Sequence, residues 1–448
     1  MADARQIDAL VAEIGSTTTV VSAFDGLSGW PESEPALIGQ GVAPTSVLQG
    51  DVGIGVDAAR ASLEAATGPL SPGVVLATSS AAGGLRMTVH GLTAKMTAMA
   101  AREAALGAGG VVEYQTAGRL RDADLTAIDE VAPGLILLAG GVEGGDVATV
   151  LFNAARLSGL ESRPIVVFGG NSAVAGEARE LLERAGFRVR VTPNVYPHVD
   201  ELDVVPARGV IHDAFEEHII HAAGMERIGE IVTGHILPTP GAVLLATERL
   251  AEVLGDLVVV DVGGATTDVH SVTDGSPEYA ALAMEPEPHA KRTVEGDLGT
   301  FVSARHVAEL LPRSGPPVAL PDALPADEGQ IAAAVLLTRA AAIHAVERHA
   351  GRFVHLYTPA GRQTIVRGRD LTACRTLIGT GGALTRLPGG EETLAATRAP
   401  ATGSDRLLPP SDARIALDRD YVFACCGALF GYFDGEAVLA LMRRSTGL

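Results

Sequence analysis

The sequence predicts an α/β protein built from two lobes of like design. Three observations carry that expectation. Short apolar strands alternate with glycine turns and helices between residues 134 and 191, the pattern of a parallel sheet with crossover helices. An apolar strand, an acid, a glycine and a hydroxyl-rich turn lead into a second strand over residues 9–24, and the same arrangement returns over 256–272. The chain has 448 residues, enough for two large lobes.

Composition narrows the function classes. Hydrophobic residues make up 47% of the chain and charged residues 20%, a budget for sizeable cores. Acids outnumber bases 54 to 34, a net charge of −20. Such a field repels nucleic-acid phosphate and anionic membrane, so neither is expected as a partner. The only lysines are Lys95 and Lys291, and neither follows a glycine, so the phosphate loop GxxxxGK(S/T) is absent. Cys374, Cys425 and Cys426 form no CxxC pair, which argues against a disulfide framework, a thiolate zinc site or an iron–sulfur cluster. A reducing cytoplasm is the expected location. The N-terminus carries early acids and lacks a signal-peptide core, and no uninterrupted apolar run approaches about 18 residues, so no membrane span is expected.

In chain order, residues 9–14 and 20–24 read as strands around a tight turn. Residues 31–50, with Pro31, Pro35 and Pro44, read as loop. A helix is expected over 56–66, a strand over 74–77, a small-residue turn over 78–84 and a helix over 93–106. The alternating run then gives strands at 134–138, 164–168 and 187–191, with helices at 147–157, 174–185 and 214–223. The second half restarts with strands at 256–260 and 269–272. Prolines make 312–325 an exposed loop, 331–349 is a long Ala-rich helix, 376–378 a strand running into a glycine turn, and 421–440 a closing helical segment. The division falls near residue 250: residues 1–250 hold the first hairpin and inserted βαβ units, residues 251–448 the second hairpin, the late glycine turn and the C-terminal helix.

The strongest chemical signal is Asp261-Val-Gly-Gly-Ala-Thr-Thr-Asp268. Gly263 and Gly264 let backbone approach a ligand, and successive N–H groups of such a turn, through Ala265, form an anion nest. Thr266 and Thr267 add hydroxyl donors. Asp261 is placed to hold a hydrated Mg²⁺ that bridges phosphate oxygens, and Asp268 either tunes the turn or joins the metal shell. The plainer reading is a β-turn between strands. Glu13-Ile-Gly-Ser-Thr-Thr-Thr19 repeats the logic with Gly15, Ser16, Thr17 and Thr18, against the alternative of a hydroxyl-capped turn. Two such hairpins facing one another would grip a polyphosphate from both sides. The glycine turn Gly379-Thr380-Gly381-Gly382-Ala383 would let backbone lie flat against a base or ribose, and is weak alone.

These three elements, in this order, resemble the actin, sugar-kinase and Hsp70 ATPase superfamily. The resemblance implies a ribonuclease H-like, actin-like ATPase fold with the nucleotide cleft between the lobes. It makes the two hairpins phosphate loops, the late glycines the adenosine loop, and Gly296–Gly299 and the run around Gly427–Gly431 the connectors between lobes. A closer resemblance runs nearly end to end. The segments Ala77-Thr-Ser-Ser-Ala-Ala-Gly-Gly-Leu-Arg86, Leu138-Ala-Gly-Gly-Val-Glu-Gly-Gly-Asp146, Arg292-Thr-Val-Glu-Gly-Asp-Leu-Gly299 and Ile378-Gly-Thr-Gly-Gly-Ala383 are similar to the MutL (GlmL) family. That family is the accessory protein of adenosylcobalamin-dependent glutamate mutase, and it shares only a name with the mismatch-repair protein. It implies ATP and Mg²⁺ as cofactors, Glu13, Asp261 and Asp268 as metal-facing acids, and a mutase as partner. The superfamily usually carries Asp where this chain has Glu13. The extra methylene shifts the carboxylate, so slow hydrolysis is expected.

Glu143 and Asp146 lie in a glycine-rich turn. Glu143 is the candidate to orient an attacking water, and helix capping by Asp146 is the alternative. His218 and His221 stand one turn apart beside Glu216 and Glu217, a pattern of a solvated helix face more than of a metal site. Arg86 and Arg292 read equally as phosphate, partner or surface residues. Four functions follow: a nucleotide-driven reactivase of a cobalamin mutase, a small-molecule kinase with Glu143 as base, an actin-type filament protein without visible head-to-tail surfaces, and an iron–sulfur activator lacking its cysteines.

Overall fold

The computed structural model describes residues 4–81, 84–312, 319–359 and 361–448. Residues 82 and 83 of the expected turn and 313–318 of the expected loop lie outside that range.

Strands β1 (Arg5–Ile14), β2 (Thr18–Asp25) and β3 (Ala36–Pro44) form an antiparallel meander, and helix α1 (Val52–Thr67) returns the chain to β4 (Leu70–Ser79), parallel to β1. β1 is buried on both faces over its last four residues, as its apolar run requires. Asp51 starts α1 by accepting the Gly53 amide, and Gly68 ends it. β3 corrects the loop expected over 31–50. Pro35 stands just before the strand and Pro44 at its last position, so neither interrupts the pairing with β2.

An inserted unit follows: β5 (Leu85–Gly91), α2 (Thr97–Gly107), β6 (Gly110–Ala117), α3 (Asp122–Val131), β7 (Leu135–Leu138), α4 (Ala148–Leu157), β8 (Ile165–Phe168), α5 (Ala175–Arg184) and β9 (Val189–Val191). Its sheet is wholly parallel with order β6-β5-β7-β8-β9. The expected strand–turn–helix units are its second half. β5, β6 and α3 went unread, and α2 begins four residues later than expected. Helix α6 (Val205–Ile219) starts nine residues before the expected one, and α7 (Ile228–Ile231) leads to β10 (Ile236–Pro238), which completes the first sheet in the order β10-β4-β1-β2-β3.

Helix α8 (Thr239–Leu254), unread in the sequence, carries the chain into the second lobe. There β11 (Leu257–Val262) and β12 (Thr267–Val272), the short α9 (Pro277–Ala280) and β13 (Ala290–Glu295) build another antiparallel meander. After α10 (Ala304–Glu309), α11 (Glu328–His349) and the hairpin β14 (Arg352–Thr358)–β15 (Gly361–Arg367) come β16 (Thr376–Thr380), α12 (Gly382–Thr385), α13 (Gly390–Ala395) and β17 (Arg414–Leu417). The second sheet runs β13-β12-β11-β16-β17. Strand for strand, directions included, this is the order of the first sheet, so the echo between the hairpins extends to whole lobes.

The chain closes with α14 (Phe423–Leu429) and α15 (Gly435–Thr446), two helices where one segment was expected. Val11, Leu76, Val243, Val259, Ile378 and Cys426 share one core between the two sheets, so α8 and α14 are the seam. A Cβ on Gly427 would stand 2.1 Å from the Ala242 carbonyl oxygen, so only glycine lets these helices cross so closely. Helix α11 is long and apolar enough by composition to cross a membrane, but Leu337, Ala341, Ala345 and Val346 are fully buried in the second lobe's core.

Candidate functional site

The two acid–glycine hairpins fold alike in atomic detail. Gly15 N–H donates to the Thr18 carbonyl at 2.9 Å, and Gly263 N–H donates to the Thr266 carbonyl at 2.9 Å. Ile14 pairs with Thr19 and Val262 with Thr267, so Glu13 and Asp261 hold equivalent positions, one residue before the last ladder pair. Each turn is braced by a neighbour. Thr45 donates its hydroxyl to the Gly15 carbonyl at 2.8 Å. Phe301 and Val302 amides donate to the Gly264 carbonyl, and Ser303 donates to Ala265. The expected connector Gly296–Gly299 therefore packs beneath the second turn. A Cβ on Gly264 would lie 3.5 Å from Thr17 Oγ1, so the two turns face each other in near contact.

Between them opens a cleft of about 310 Å³. Gly15, Ser16, Thr17, Thr18, Gly263, Gly264, Ala265 and Thr266 line it, together with Glu13, Asp261 and Asp268. Thr267 does not. It is buried, and its hydroxyl donates to the Leu298 carbonyl. Arg386 is the one lysine or arginine on the cleft wall among the described residues, lying over the Tyr421 ring.

The acids are not equivalent. Burial pushes the Glu13 carboxyl up to about 7, against the Tyr421 hydroxyl that donates to it at 2.7 Å. Asp261 is raised well above the carboxylate range, first by burial and then by the charges of Asp268, Glu13 and Asp418. Asp268 lines the cleft and is bonded to the turn itself, the first of the two roles open to it. Its Oδ1 accepts from Arg292 Nε at 2.7 Å and Nη2 at 2.6 Å, and its Oδ2 accepts from the Thr266 hydroxyl. Arg292 is only 2% exposed, which overturns the surface reading, and its Nη1 donates to the Leu106 and Gly110 carbonyls.

No three acidic, histidine or cysteine side chains are gathered into a metal-ligand set among the described residues. The site nevertheless suits Mg²⁺ with a polyphosphate, because Mg²⁺ uses one or two carboxylates, keeps waters and takes the rest from phosphate. Glu13 and Asp261 form no ion pair among the described residues, and the charges of Arg386 and Arg292 offset only a small part of their burial. Thr239 Oγ1, on the same wall, is buried without a hydrogen-bond partner. It opens α8, whose first amides have no side-chain cap, and such a helix end attracts anions.

The late glycine turn reaches the cleft with its last residues. Of Gly379, Thr380, Gly381 and Gly382, only Gly382 lines the cleft, followed by Ala383. Gly379 is packed under Leu417 and Leu394, and Thr380 donates to Asp418 at 2.9 Å. Gly381, with φ of +85°, supports the cleft from behind, since a Cβ there would stand 2.4 Å from Asp261 Oδ1. Glu143 is a further correction. It belongs to the inserted sheet, not to the cleft lining. Burial opposes its charge, but donors from Ser172 and Asn194 outweigh this and hold its carboxyl below its ordinary value. Asp146, one residue before the N-cap position of α4, accepts the Thr149 amide in its first turn. Pro321 to Pro325 are loop as expected, with Asp322, Ala323 and Leu324 exposed, and they run along the cleft. Tyr421, Thr239 and Arg386 were missed; only Arg386, four residues after Gly382 of the late glycine turn, stood beside a signal.

Two sheets of one topology, joined at crossing helices, with matched hairpin turns meeting over an acid-floored cleft, make this the fold of the actin-like ATPases. The profile of the MutL protein family matches residues 9–446. Protein MutL of Clostridium tetanomorphum is 34% identical over 465 aligned positions, covering 97% of this chain and 98% of that one. The chain belongs to the MutL protein family. Similar solved structures include nucleotide-free acetone carboxylase, 13% identical with a TM-score of 0.35 over 94% of this chain and 70% of that one. Component A of (R)-2-hydroxyglutaryl-CoA dehydratase from Acidaminococcus fermentans is 9% identical with a TM-score of 0.30, over 98% of this chain and 99% of that one.

Proposed function

We propose that the chain binds ATP with Mg²⁺ in the cleft and serves as an accessory protein that assists or reactivates an adenosylcobalamin-dependent mutase of the glutamate mutase type, in a reducing cytoplasm. The observation that carries nucleotide binding is the pair of superimposable hairpin turns held in near contact over Glu13 and Asp261. The mutase is proposed through the family alone.

In this reading Glu13 and Asp261 hold Mg²⁺, which when bound neutralises charge on phosphate oxygens. The turn amides, the Thr17 and Thr18 hydroxyls and the first turn of α8 hold the phosphates from both lobes. Gly382 and Ala383 lie against the adenosine. Because both lobes grip one ligand, its presence favours the closed form only by its differential affinity for closed over open. A partner sensitive to closure must shift nucleotide affinity by the same factor. The kinase alternative is the less supported reading, because its candidate base Glu143 does not line the cleft.

Calorimetry tests the reading. ATP with Mg²⁺ binds the wild type, and Asp261→Ala weakens Mg·ATP more than metal-free ATP. Equal weakening in EDTA would mean that Asp261 shapes the turn. A candidate mutase with inactivated cobalamin is then titrated in ATP, in ADP and without nucleotide. Identical affinities in all three, with no change in hydrolysis, would sink the accessory role while leaving nucleotide binding intact.

A further inference from the structure

A second cavity, of about 410 Å³, lies between α2 of the inserted unit, β13, the end of α11 and the base of the β14–β15 hairpin. We propose that this cavity is a binding site for a small phosphate-bearing anion, distinct from the nucleotide cleft. The proposal is independent of the function proposed above.

The first observation is charge. Arg102, Lys291, Arg348, Arg352, Arg367, Arg369 and Arg406 line the cavity, and Glu295 is the only acid among the described residues that does. This concentration occurs on a chain of net charge −20. Some of these cations are already satisfied. Arg348 is held by Glu295 and Asp297, and Lys291 by Glu287 with Glu103 at 3.5 Å. Arg369 is buried and gives its donors to Ser271 and to the Pro288 and His289 carbonyls. Arg352, Arg367 and Arg406 have no ion-pair partner among the described residues. One Arg406 nitrogen donates to the Glu347 carbonyl.

The second observation is register. Arg352 stands directly opposite Arg367 in the β14–β15 ladder, and an antiparallel bridge sets Arg406 opposite Arg352 on its other side. Directly opposed residues project from the same face, so three unpaired guanidinium groups stand in one row. Like charges placed this way destabilise a sheet. The hairpin bears this repulsion without a protein counter-ion, which a bound anion would supply.

The chemistry selects phosphate. Guanidinium groups present planar forks that match phosphate oxygens in pairs, and several forks suit a group with three or more acceptor oxygens better than a single carboxylate. The cavity also adjoins the Arg292–Asp268 pair. Leu106 lines it while its carbonyl accepts from Arg292, so an occupant would press on the residues that brace the second hairpin.

Inorganic pyrophosphate is the probe, titrated by calorimetry into the full chain in EDTA. Three proteins are compared: wild type, Arg352→Gln/Arg367→Gln, and Gly264→Asp, which sets a negative charge between the hairpin turns. Removing a charge-assisted hydrogen bond of this kind weakens binding by roughly tenfold for each arginine. The expected result is loss of one binding event in the arginine variant, while the Gly264→Asp protein loses only binding in the nucleotide cleft and keeps the arginine-dependent event at wild-type affinity. The arginine variant also keeps or raises its Tm at low salt, because it relieves repulsion. Unchanged affinity in the arginine variant, or loss only in Gly264→Asp, overturns the proposal. So does a lowered Tm with unaltered affinity, since the arginines would then serve the fold. Arginine-dependent binding of a decaglutamate peptide in preference to pyrophosphate overturns the phosphate class and points to an acidic protein segment.

Discussion

Replacing Glu13 by glutamine should stabilise the ligand-free protein at high pH and do nothing at low pH. Burial raises this carboxyl from 4.5 to about 7, and the Tyr421 hydroxyl at 2.7 Å only partly compensates. Between those two values the folded chain holds a proton that the unfolded chain has released. Stability linked to this group is therefore full below about 4.5 and is lost as pH rises through about 7. The shift is worth about 3 kcal/mol once the group is ionised in both states. Glutamine keeps the oxygen that accepts from Tyr421 and never ionises. It also removes one of the charges that raise Asp261. Denaturant unfolding of the full chain, free of metal and nucleotide, should give matching stabilities near pH 4.5 and a variant more stable by about 3 kcal/mol near pH 8. Mg·ATP should reverse the order, binding the wild type more tightly as pH rises through about 7 because the cation needs the ionised form. Parallel pH profiles for the two proteins would refute the argument, since Glu13 would then titrate alike in folded and unfolded chains.

Other perturbations have equally definite outcomes. Thr239→Val removes a buried hydroxyl with no protein partner, so unfolding should be unaffected while calorimetry shows nucleotide affinity falling by roughly tenfold. Arg292→Leu strands the buried Asp268 carboxylate and two carbonyls, costing about 3–5 kcal/mol in a denaturant titration, and Asp268→Asn in the same chain should restore part of it. Gly427→Ala drives a methyl into the Ala242 carbonyl at the crossing of α8 and α14, so the unfolding midpoint should drop by about 1–3 kcal/mol equivalent, and an unchanged midpoint would show that the seam can spread.

The sequence by itself determined both hairpins, the alternating units of the inserted sheet and the long α11. These features are local. An apolar run of five or six residues, an acid at its end and a glycine two positions on specify a strand and its turn through short-range sterics and burial. The cleft acids Glu13 and Asp261 were legible for the same reason, being fixed within their own hairpins. The tertiary structure decided what each group does once distant chain arrives beside it. Asp268 is spoken for by Arg292, 24 residues away, and Glu13 by Tyr421, 408 residues away. Gly381 makes room for Asp261, not for a base, because β16 lies against β11. Glu143 carries the right chemistry in the wrong unit, since its turn ends a strand of the inserted sheet. β3 was hidden because its pairing with β2, and no periodicity of its own, makes it a strand. Such outcomes depend on which elements pack together, and packing is settled by total burial across the chain, a quantity that no short window of sequence contains.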